Sequence, residues 1–550
     1  MSKLKIGLIV DSVWCSKYIK DLVEEIEGSK LIEIKAILIQ EKSKKINFTE
    51  RLKRAIKKKG AAYLLGKFFY LLVFWLEKYV IEKHKYFSEH LKCHEFIKNK
   101  NNIIYVKPDV SKSGFVYRYT EQDISTIESL KLDALIRCGS GILRGKILTS
   151  TKYGIISFHH GDNRKYRGSP AGFWEVLNEE PSTGFVIQRL TEELDGGDIL
   201  FRGSFPTQSF YMLNQAMLYT KSNIYMKLLL EKIATEKTLH VIDQEIPYSR
   251  PLYREPNLYN TLLYLSYIIK SLWIKYLNRL IKKKSKWNVS YVQSGWNNVV
   301  LWKGKPIPNP NNHYLADPFV FSRDGIFYIF VEDFDLTINK GSIRLYCINE
   351  DEIFDLGVIV EEKFHLSFPY IFEFDGELYM CPETSEKNEI RLYKCVEFPG
   401  KWIFHSVAIN NIRAVDSMIF KKDDRWWLFT NTDTSNVNEY CSELLIFFSD
   451  NPINGDWVPH KKNPVVVNSN VARNGGILSL ESNLYRVAQR QGFLNYGESV
   501  SICKIVVLSA DQYSEKECCI LMAEFKKNVK GIHHMHCQNN ITVYDYSNYA

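Results

Sequence analysis

The chain has 550 residues, too many for one compact core, and domains of about 100–200 residues make two or three folding units the expectation. Hydrophobic residues make up 45% and charged residues 25%, the balance of a soluble globular protein, which excludes a disordered chain or a membrane bundle. A net charge of +9 is too modest to require nucleic acid, and eleven cysteines without a C-x-x-C pair exclude a zinc ribbon or a disulfide framework and suit a reducing cytoplasm.

Residues 4–10, LKIGLIV, read as a first strand and not as a signal peptide. A helical stretch to Ile26 and the strand LIEIKAILI complete a β-α-β opening. A dense basic run fills residues 42–59. The apolar segment from Ala61, AAYLLGKFFYLLVFWLEKYVI, carries Lys67, Glu77 and Lys78, which argues against a spanning helix. It reads as a helix buried in the domain, or as one lying on a membrane between basic flanks. The later runs LDALIRCG and GIISFHH alternate with helical segments, so a mostly parallel, helix-covered sheet with ligands at its strand ends is predicted. Residues 260–286 have helical apolar spacing and a basic tail, which suits an interdomain or surface-seeking helix. The two basic segments together raise the expectation of peripheral contact with the inner face of a membrane.

Beyond that helix an internal repeat begins. VFSRDGIFYIFVED (from Val320), IFEFDGELYMCPET (from Ile371), IFKKDDRWWLFTNT (from Ile419) and ILSLESNLYRVAQR (from Ile477) share a strand, a turn and a second strand. The turn is D-G twice, a strong hairpin signal, and D-D and E-S once each. A spacing of roughly 50 residues suits propeller blades of four strands. Strand material near NNVVLWKG and NNITVYDY brings the number to about five blades, with the chain ends closing the ring. The expected organisation is an α/β domain over 1–250 with an insertion at about 42–95, a basic helical linker over 251–290, and an all-β five-bladed propeller over 291–550.

The loop GIISFHHGDNRKYRGSP, from Gly154, holds two adjacent histidines after an apolar strand, and Asp195 lies in a tight L-D-G-G turn after the strand TGFVIQRL. A histidine at a strand end and a carboxylate at a neighbouring corner form a pair in which the acid orients and charges the imidazole, as acyl transfer requires. The two are expected to meet beside an open crevice at the sheet edge.

Residues 154–203 resemble the catalytic half of the folate-dependent formyltransferases, which include methionyl-tRNA, glycinamide-ribonucleotide and sugar N-formyltransferases. His159 matches the family's histidine, Tyr166-Arg167-Gly168 the end of its loop, Thr183-Gly184 its strand start and Asp195 its aspartate. The resemblance, over roughly residues 1–245, implies a Rossmann-like fold and N10-formyltetrahydrofolate as co-substrate. It implies catalytic roles for His159 and Asp195, and a folate-binding strand end at Arg137, Cys138, Gly139, Ser140, Gly141 and Ile142. Ser157 stands where the family has asparagine, and as the third catalytic residue it is expected to donate to the acyl oxygen. His160, Asn163 and Arg167 are further polar candidates for substrate binding.

In the repeat region, Asp317 of HYLADPFVF resembles the inner-strand aspartate that serves as base or nucleophile in arabinanase- and levansucrase-type propellers, and Asp416 of AVDSMIF holds the equivalent place two repeats on. With the phrases FPYIFEFDGELYMCPETS, DSMIF and NGDWVPHKKNPV, residues 310–540 also resemble the propeller that accompanies plant glucosamine inositolphosphorylceramide transferases. Asp317, Glu332, Glu383, Asp416, Arg473 and the HHMH run (His533, His534, His536) are candidates for a central polar, substrate-binding pocket, and no metal site is assigned.

These features imply an N-formyltransferase, or a related N-acyltransferase, acting on a nucleotide-linked or lipid-linked amino sugar in surface-polysaccharide synthesis, with the propeller positioning the glycan. The alternatives are a glycoside-processing enzyme that uses the propeller carboxylates, and a non-catalytic glycan-binding scaffold.

Overall fold

The computed structural model describes residues 3–41, 48–95, 103–242, 247–280, 285–349 and 352–549. Residues 42–47 of the expected insertion and 281–284 of the expected linker lie outside them. The chain forms two compact units, Met1–Trp273 and Ile274–Ala550.

The first unit contains, in chain order, β1 (Leu4–Val10), α1 (Lys17–Glu27), β2 (Ile32–Gln40), α2 (Phe48–Ile81), β3 (Ile103–Val106), α3 (Glu121–Ser129), β4 (Ala134–Arg137), β5 (Ile155–His159), α4 (Phe173–Leu177), β6 (Ser182–Arg189), β7 (Asp198–Pro206), α5 (Tyr211–Glu236) and the start of α6 (Leu258–Leu280). Its sheet runs β7-β6-β5-β4-β1-β2-β3. The β3, β2, β1, β4 and β5 strands are parallel; β6 pairs antiparallel with β5, and β7 pairs antiparallel with β6. β1 reads as an almost unbroken apolar run because helices cover both of its faces, and six of its seven residues are buried. In α1, Ile19, Leu22, Val23 and Ile26 recur at helical spacing and turn together into the core.

The second unit is all-β, with five antiparallel sheets. Its first strand, β8 (Ser285–Val292), pairs along its whole length with the last strand of the chain. The four repeats each form a hairpin with a two-residue turn, at Asp324-Gly325, Asp375-Gly376, Asp423-Asp424 and Glu481-Ser482. The first turn residue is left-handed in all four, with φ between 51° and 55°. In the two Asp-Gly turns the glycine is left-handed as well, a conformation that costs a residue without Cβ little.

The first strands of these hairpins are β9 (His313–Arg323), β10 (Ser367–Phe374), β11 (Ala414–Lys422) and β12 (Asn474–Leu480). Each breaks register at the corresponding place, between Ala316 and Phe319, Ser367 and Tyr370, Val415 and Met418, and Asn474 and Ile477. A bulge re-aims the side chain it carries, and Asp317 and Asp416 occupy two of these bulges with φ of 50°. β9 packs on β10, β10 on β11 and β11 on β12, while β13 (Met535–Gln538) lies against both β12 and β9 and pairs with β14 (Ile541–Tyr549).

Candidate functional site

β5 ends at His159, opposite Val186 of the antiparallel β6, and the turn that leads from β6 to β7 brings Asp195 alongside. That turn needs its glycines: a Cβ on Gly197 would lie 2.2 Å from the carbonyl oxygen of Arg189. Nδ1 of His159 is 3.4 Å from Oδ1 of Asp195, and the Gly168 N–H donates to Oδ2 at 2.9 Å. Nε2 of His159 is 2.7 Å from the carbonyl oxygen of Tyr166. Both ring nitrogens therefore face acceptors, which favours the doubly protonated imidazolium. Burial opposes that charge, but Asp195, followed by the Tyr166 carbonyl, holds His159 above the usual imidazole range. Against its own burial, Asp195 is held below the carboxylate range by His159 and the Gly168 N–H.

His159 is only 7% exposed. A cavity bounded by His160, Tyr166, Gly168, Glu175 and Tyr253 measures about 10 Å³, room for roughly one water. The loop is strapped down because Gly168 bridges to Tyr253, the Tyr253 N–H donates to the Arg167 carbonyl at 2.9 Å, and the Arg167 guanidinium lies 4.5 Å above the Tyr248 ring.

Other predicted residues are placed differently from expectation. The Ser157 hydroxyl donates to the Phe158 carbonyl at 3.1 Å and not toward a shared acyl oxygen, because serine is too short to reach past its own strand. Asn163 is buried as a brace, donating to the Asp195 carbonyl and accepting from Arg202. His160 stacks on Phe158, packs against Tyr219 and contacts the Ser222 hydroxyl at 3.2 Å; burial, then the His159 charge, pushes its pKa down to about 3. Arg167 serves the strap and donates to the Asn163 carbonyl.

The turn at 137–142 is the expected folate cradle. The His159 Nε2 donor suits an acyl oxygen, but the turn does not fit a pteridine. Tyr117 fills the space above Gly141, Gln40 fills that beside Gly139, and Ser140 is tied to Asp11 through both its N–H and its hydroxyl. Arg137 folds back onto the Gly141 carbonyl, and Cys138 is held by the Ile9 carbonyl.

Sequence reasoning missed Glu175, in α4. Its carboxyl is buried beside His159, one oxygen lacks a hydrogen bond, and burial, partly offset by the His159 charge, pushes its pKa up to about 7. The available signal was an acid inside the apolar stretch GFWEVL.

In the second unit the nominated carboxylates converge. A cavity of about 250 Å³ is lined by Asp317, Glu332, Glu383, Asp416 and Arg473, with an aromatic wall from Trp287, Tyr314, Phe334 and Tyr496. His533 stands between Asp317 (3.0 Å from Nε2) and Asp545 (3.1 Å from Nδ1), and these charges push it up to about 10 against the burial that lowers it. The three side chains bring ligand-type atoms within 4.8 Å of one another. The ring commits one nitrogen to each carboxylate, however, which is the geometry of a bridging imidazolium.

Arg473 donates to Asp416 at 2.6 Å. His365 approaches Glu332 at 3.6 Å, but its Nδ1 accepts from the Gly341 N–H and burial lowers its pKa, so it is neutral. Both cations of the pocket are thus committed to aspartates. Burial and then the Asp317 charge push Glu332 well above the carboxylate range, and burial and then Asp416 push Glu383 up to about 7. Asp317, despite burial, is held low by His533. The remaining histidines diverge, as alternation along the chain requires: His534 lies between Phe319 and Phe368, and His536 accepts from the Val320 N–H. A larger cavity of about 370 Å³, nearer the hairpin turns of the same strands, has mainly apolar and aromatic walls.

Residues 281–544 match the family model described as "Glucosamine inositolphosphorylceramide transferase 1, N-terminal". The chain is 33% identical over 239 residues to the glucosamine inositolphosphorylceramide transferase 1 of Oryza sativa subsp. japonica, an alignment covering 42% of this chain and 32% of that protein. It is 24% identical over 210 residues to the methionyl-tRNA formyltransferase of Bacillus subtilis, covering 38% of this chain and 64% of the relative. The chain therefore spans about a third of the plant protein's length. Among solved structures, Zg3597, a family 117 glycoside hydrolase of Zobellia galactanivorans, aligns with a TM-score of 0.33 at 12% identity, over 48% of this chain and 90% of that one. Glycinamide ribonucleotide transformylase 1 of Symbiobacterium toebii aligns with a TM-score of 0.28 at 11% identity, over 45% and 95%.

Proposed function

We propose that the protein is a cytoplasmic N-acyltransferase of the formyltransferase type, acting on a nucleotide-linked or lipid-linked amino sugar in surface-polysaccharide synthesis. The observation that carries this reading is the His159–Asp195 pair, an imidazolium held charged by a buried aspartate with its second N–H aimed at a carbonyl oxygen 2.7 Å away. An acyl oxygen that takes the place of the Tyr166 carbonyl receives the same hydrogen bond, and the imidazolium stabilises the negative charge that grows there as the sugar amine attacks. Asp195 keeps the imidazole charged and oriented. Glu175, with a pKa near neutrality, is placed to accept the proton lost by the amine and to return it to the donor's leaving group as the bond from that group to the acyl carbon breaks. Substrate access requires the loop of residues 160–170 to release its strap.

In this reading the five sheets of the second unit are the blades of a propeller whose central pocket receives the sugar. Glu332 and Glu383 face that cavity without a cation of their own, the complement of a sugar ammonium, and the aromatic wall suits the apolar face of a sugar ring. The test is a transfer assay on the full chain with N10-formyltetrahydrofolate and, because the 137–142 turn does not fit a pteridine, also with acyl thioesters as donors, against a panel of nucleotide-linked and lipid-linked amino sugars. The expected result is an N-acylated sugar, with turnover reduced at least about a hundredfold in His159→Ala. Equal turnover in that variant, or transfer to no amino sugar, sinks the proposal.

A second reading is favoured by the opposed protonation of Asp317 and Glu332, which acid–base cleavage of a glycosidic bond uses. Sugar release abolished by Asp317→Asn and untouched by His159→Ala assigns the chemistry to the second unit. Glycan binding with no turnover of either kind leaves a scaffold.

A further inference from the structure

From Ala61 onward α2 is apolar on most sides, a composition that suits a helix buried all round. Among its described side chains only one side is covered. Tyr70, Val73, Glu77 and Ile81 turn into the first unit, where the Glu77 carboxyl group accepts from the Met212 N–H and the Tyr264 hydroxyl. The opposite side leaves Phe68, Trp75 and Tyr79 between 61% and 64% exposed. α6 repeats the pattern: Thr261 and Tyr264 are buried, while Tyr259, Ile269 and Trp273 are between 60% and 68% exposed.

The two helices touch where Gly66 meets Leu258 and again where Glu77 meets Tyr264, and Lys67 pairs with Glu255 at 2.6 Å. The contacts occur in the same order along both helices, which therefore run in the same general direction. An apolar surface this rich in aromatic residues marks an interaction site on a soluble unit.

We propose that the exposed faces of α2 and α6 dock the first unit onto an anionic lipid bilayer, with the helices lying in the interface. Charge selects this occupant over a second copy of the chain. Residues 42–59 carry nine Lys and Arg against one acid, and residues 270–286 carry seven against none. Two copies brought face to face place these like-charged runs together, whereas anionic headgroups neutralise them. Tryptophan and tyrosine beside lysines such as Lys78 and Lys270 are the side chains that settle at headgroup depth. Among the described residues no helix is long and apolar enough to cross a membrane, so the contact lies along the surface. This inference is independent of the acyl-transfer reading, which the transfer assay tests on soluble substrates.

The experiment is co-sedimentation of the full chain with vesicles of phosphatidylcholine alone and with about one third phosphatidylglycerol, at low and physiological salt. Binding to the anionic vesicles is expected, at least about tenfold weaker without phosphatidylglycerol and weakened by salt. Phe68→Glu with Trp273→Glu should remove binding, and Lys270→Glu with Lys275→Glu should remove its dependence on anionic lipid; circular dichroism checks that both variants fold. If the apolar variants misfold, quenching of wild-type tryptophan emission by brominated lipid decides the point. Absence of binding at low salt overturns the proposal. So does a wild-type dimer in solution that the apolar substitutions convert to monomer, because the occupant is then a second copy.

Discussion

The Nε2 nitrogen of His159 lies 2.7 Å from the carbonyl oxygen of Tyr166, seven residues along the same loop. The catalytic-type pair is therefore assembled and capped in the same structure, and the strap from Tyr248 to Tyr253 holds the cap in place. Gly168 is its weak point: its φ is 107°, and an added Cβ would lie 2.1 Å from the Tyr253 carbonyl oxygen. Gly168→Ala should break the bridge, lower stability by about 1–3 kcal/mol and raise hydrogen exchange across residues 159–170. Unchanged exchange there would show that the strap does not hold the loop.

The charge state of His159 is a second prediction. Its pKa in the folded chain should exceed 6.5 and, in Asp195→Asn, should fall below 6.5 because burial then acts unopposed. Histidine-selective NMR titration reads both. The stability that His159 contributes is full below its unfolded value of about 6.5 and is lost as pH rises through the higher folded value. That of Asp195 is present above about 3.9 and is lost as pH falls through its lower folded value.

Glu77 has the opposite linkage to Asp195. Burial pushes its carboxyl up to about 7, against the bonds from Tyr264 and Met212 that lower it. The folded state keeps a proton that the unfolded chain has released, so stability should fall as pH rises from about 4.5 to about 7, by roughly 3 kcal/mol in all. Glu77→Gln, which retains an acceptor for the Met212 N–H, should flatten that slope. Calorimetric melts of the first unit between pH 5 and 8 provide the measurement.

Burial pushes the Glu332 carboxyl well above the carboxylate range and that of Glu383 up to about 7, so an amino sugar that brings a cation should expel protons as it binds. Calorimetry in buffers of different ionisation enthalpy should show proton release for a hexosamine with a free amine. An N-acylated analogue should bind more weakly and release none. Glu332→Gln should reduce both the affinity and the number of protons released. Equal binding of the free and acylated sugars would remove the ammonium from the account of this pocket.

Arg486, fully buried, pairs with Glu515 through Nε at 2.9 Å and through Nη2, and it donates to the backbone carbonyls of Ala472 and Val471. Arg486→Ala strands a largely covered carboxylate and should cost about 3 kcal/mol, read from denaturant unfolding of the second unit. Lysine lacks the planar fork and should rescue only part of the loss.

Much of this architecture was legible in the residues. The four hairpins follow from alternating apolar strands around Asp-Gly, Asp-Asp and Glu-Ser turns, and the His159–Asp195 pair follows from a motif with one member at a strand end and the other in the turn after the adjoining strand. The residues at 137–142 misled because glycines that suggest an approach for a ligand are occupied by Tyr117 and Gln40, side chains from other elements. Glu332 and Glu383 were nominated on residue type alone, and only the bulged strands around one cavity make them a group. Asp545 and His365 went unnoticed, since nothing local distinguishes an acid or histidine that turns toward a pocket from one that turns toward solvent.

Local properties were therefore written in the order of the residues: strand alternation, helical spacing, turn chemistry, the basic runs, and the chemical types able to transfer a proton. Burial and partnership arose only on folding. Which carboxyls keep their protons, which histidine is charged, and whether a loop caps a strand end depend on groups far apart along the chain. The reason is physical: desolvation and Coulomb energy are set by distance and by the surrounding dielectric, and neither exists for a residue until the rest of the chain has packed around it.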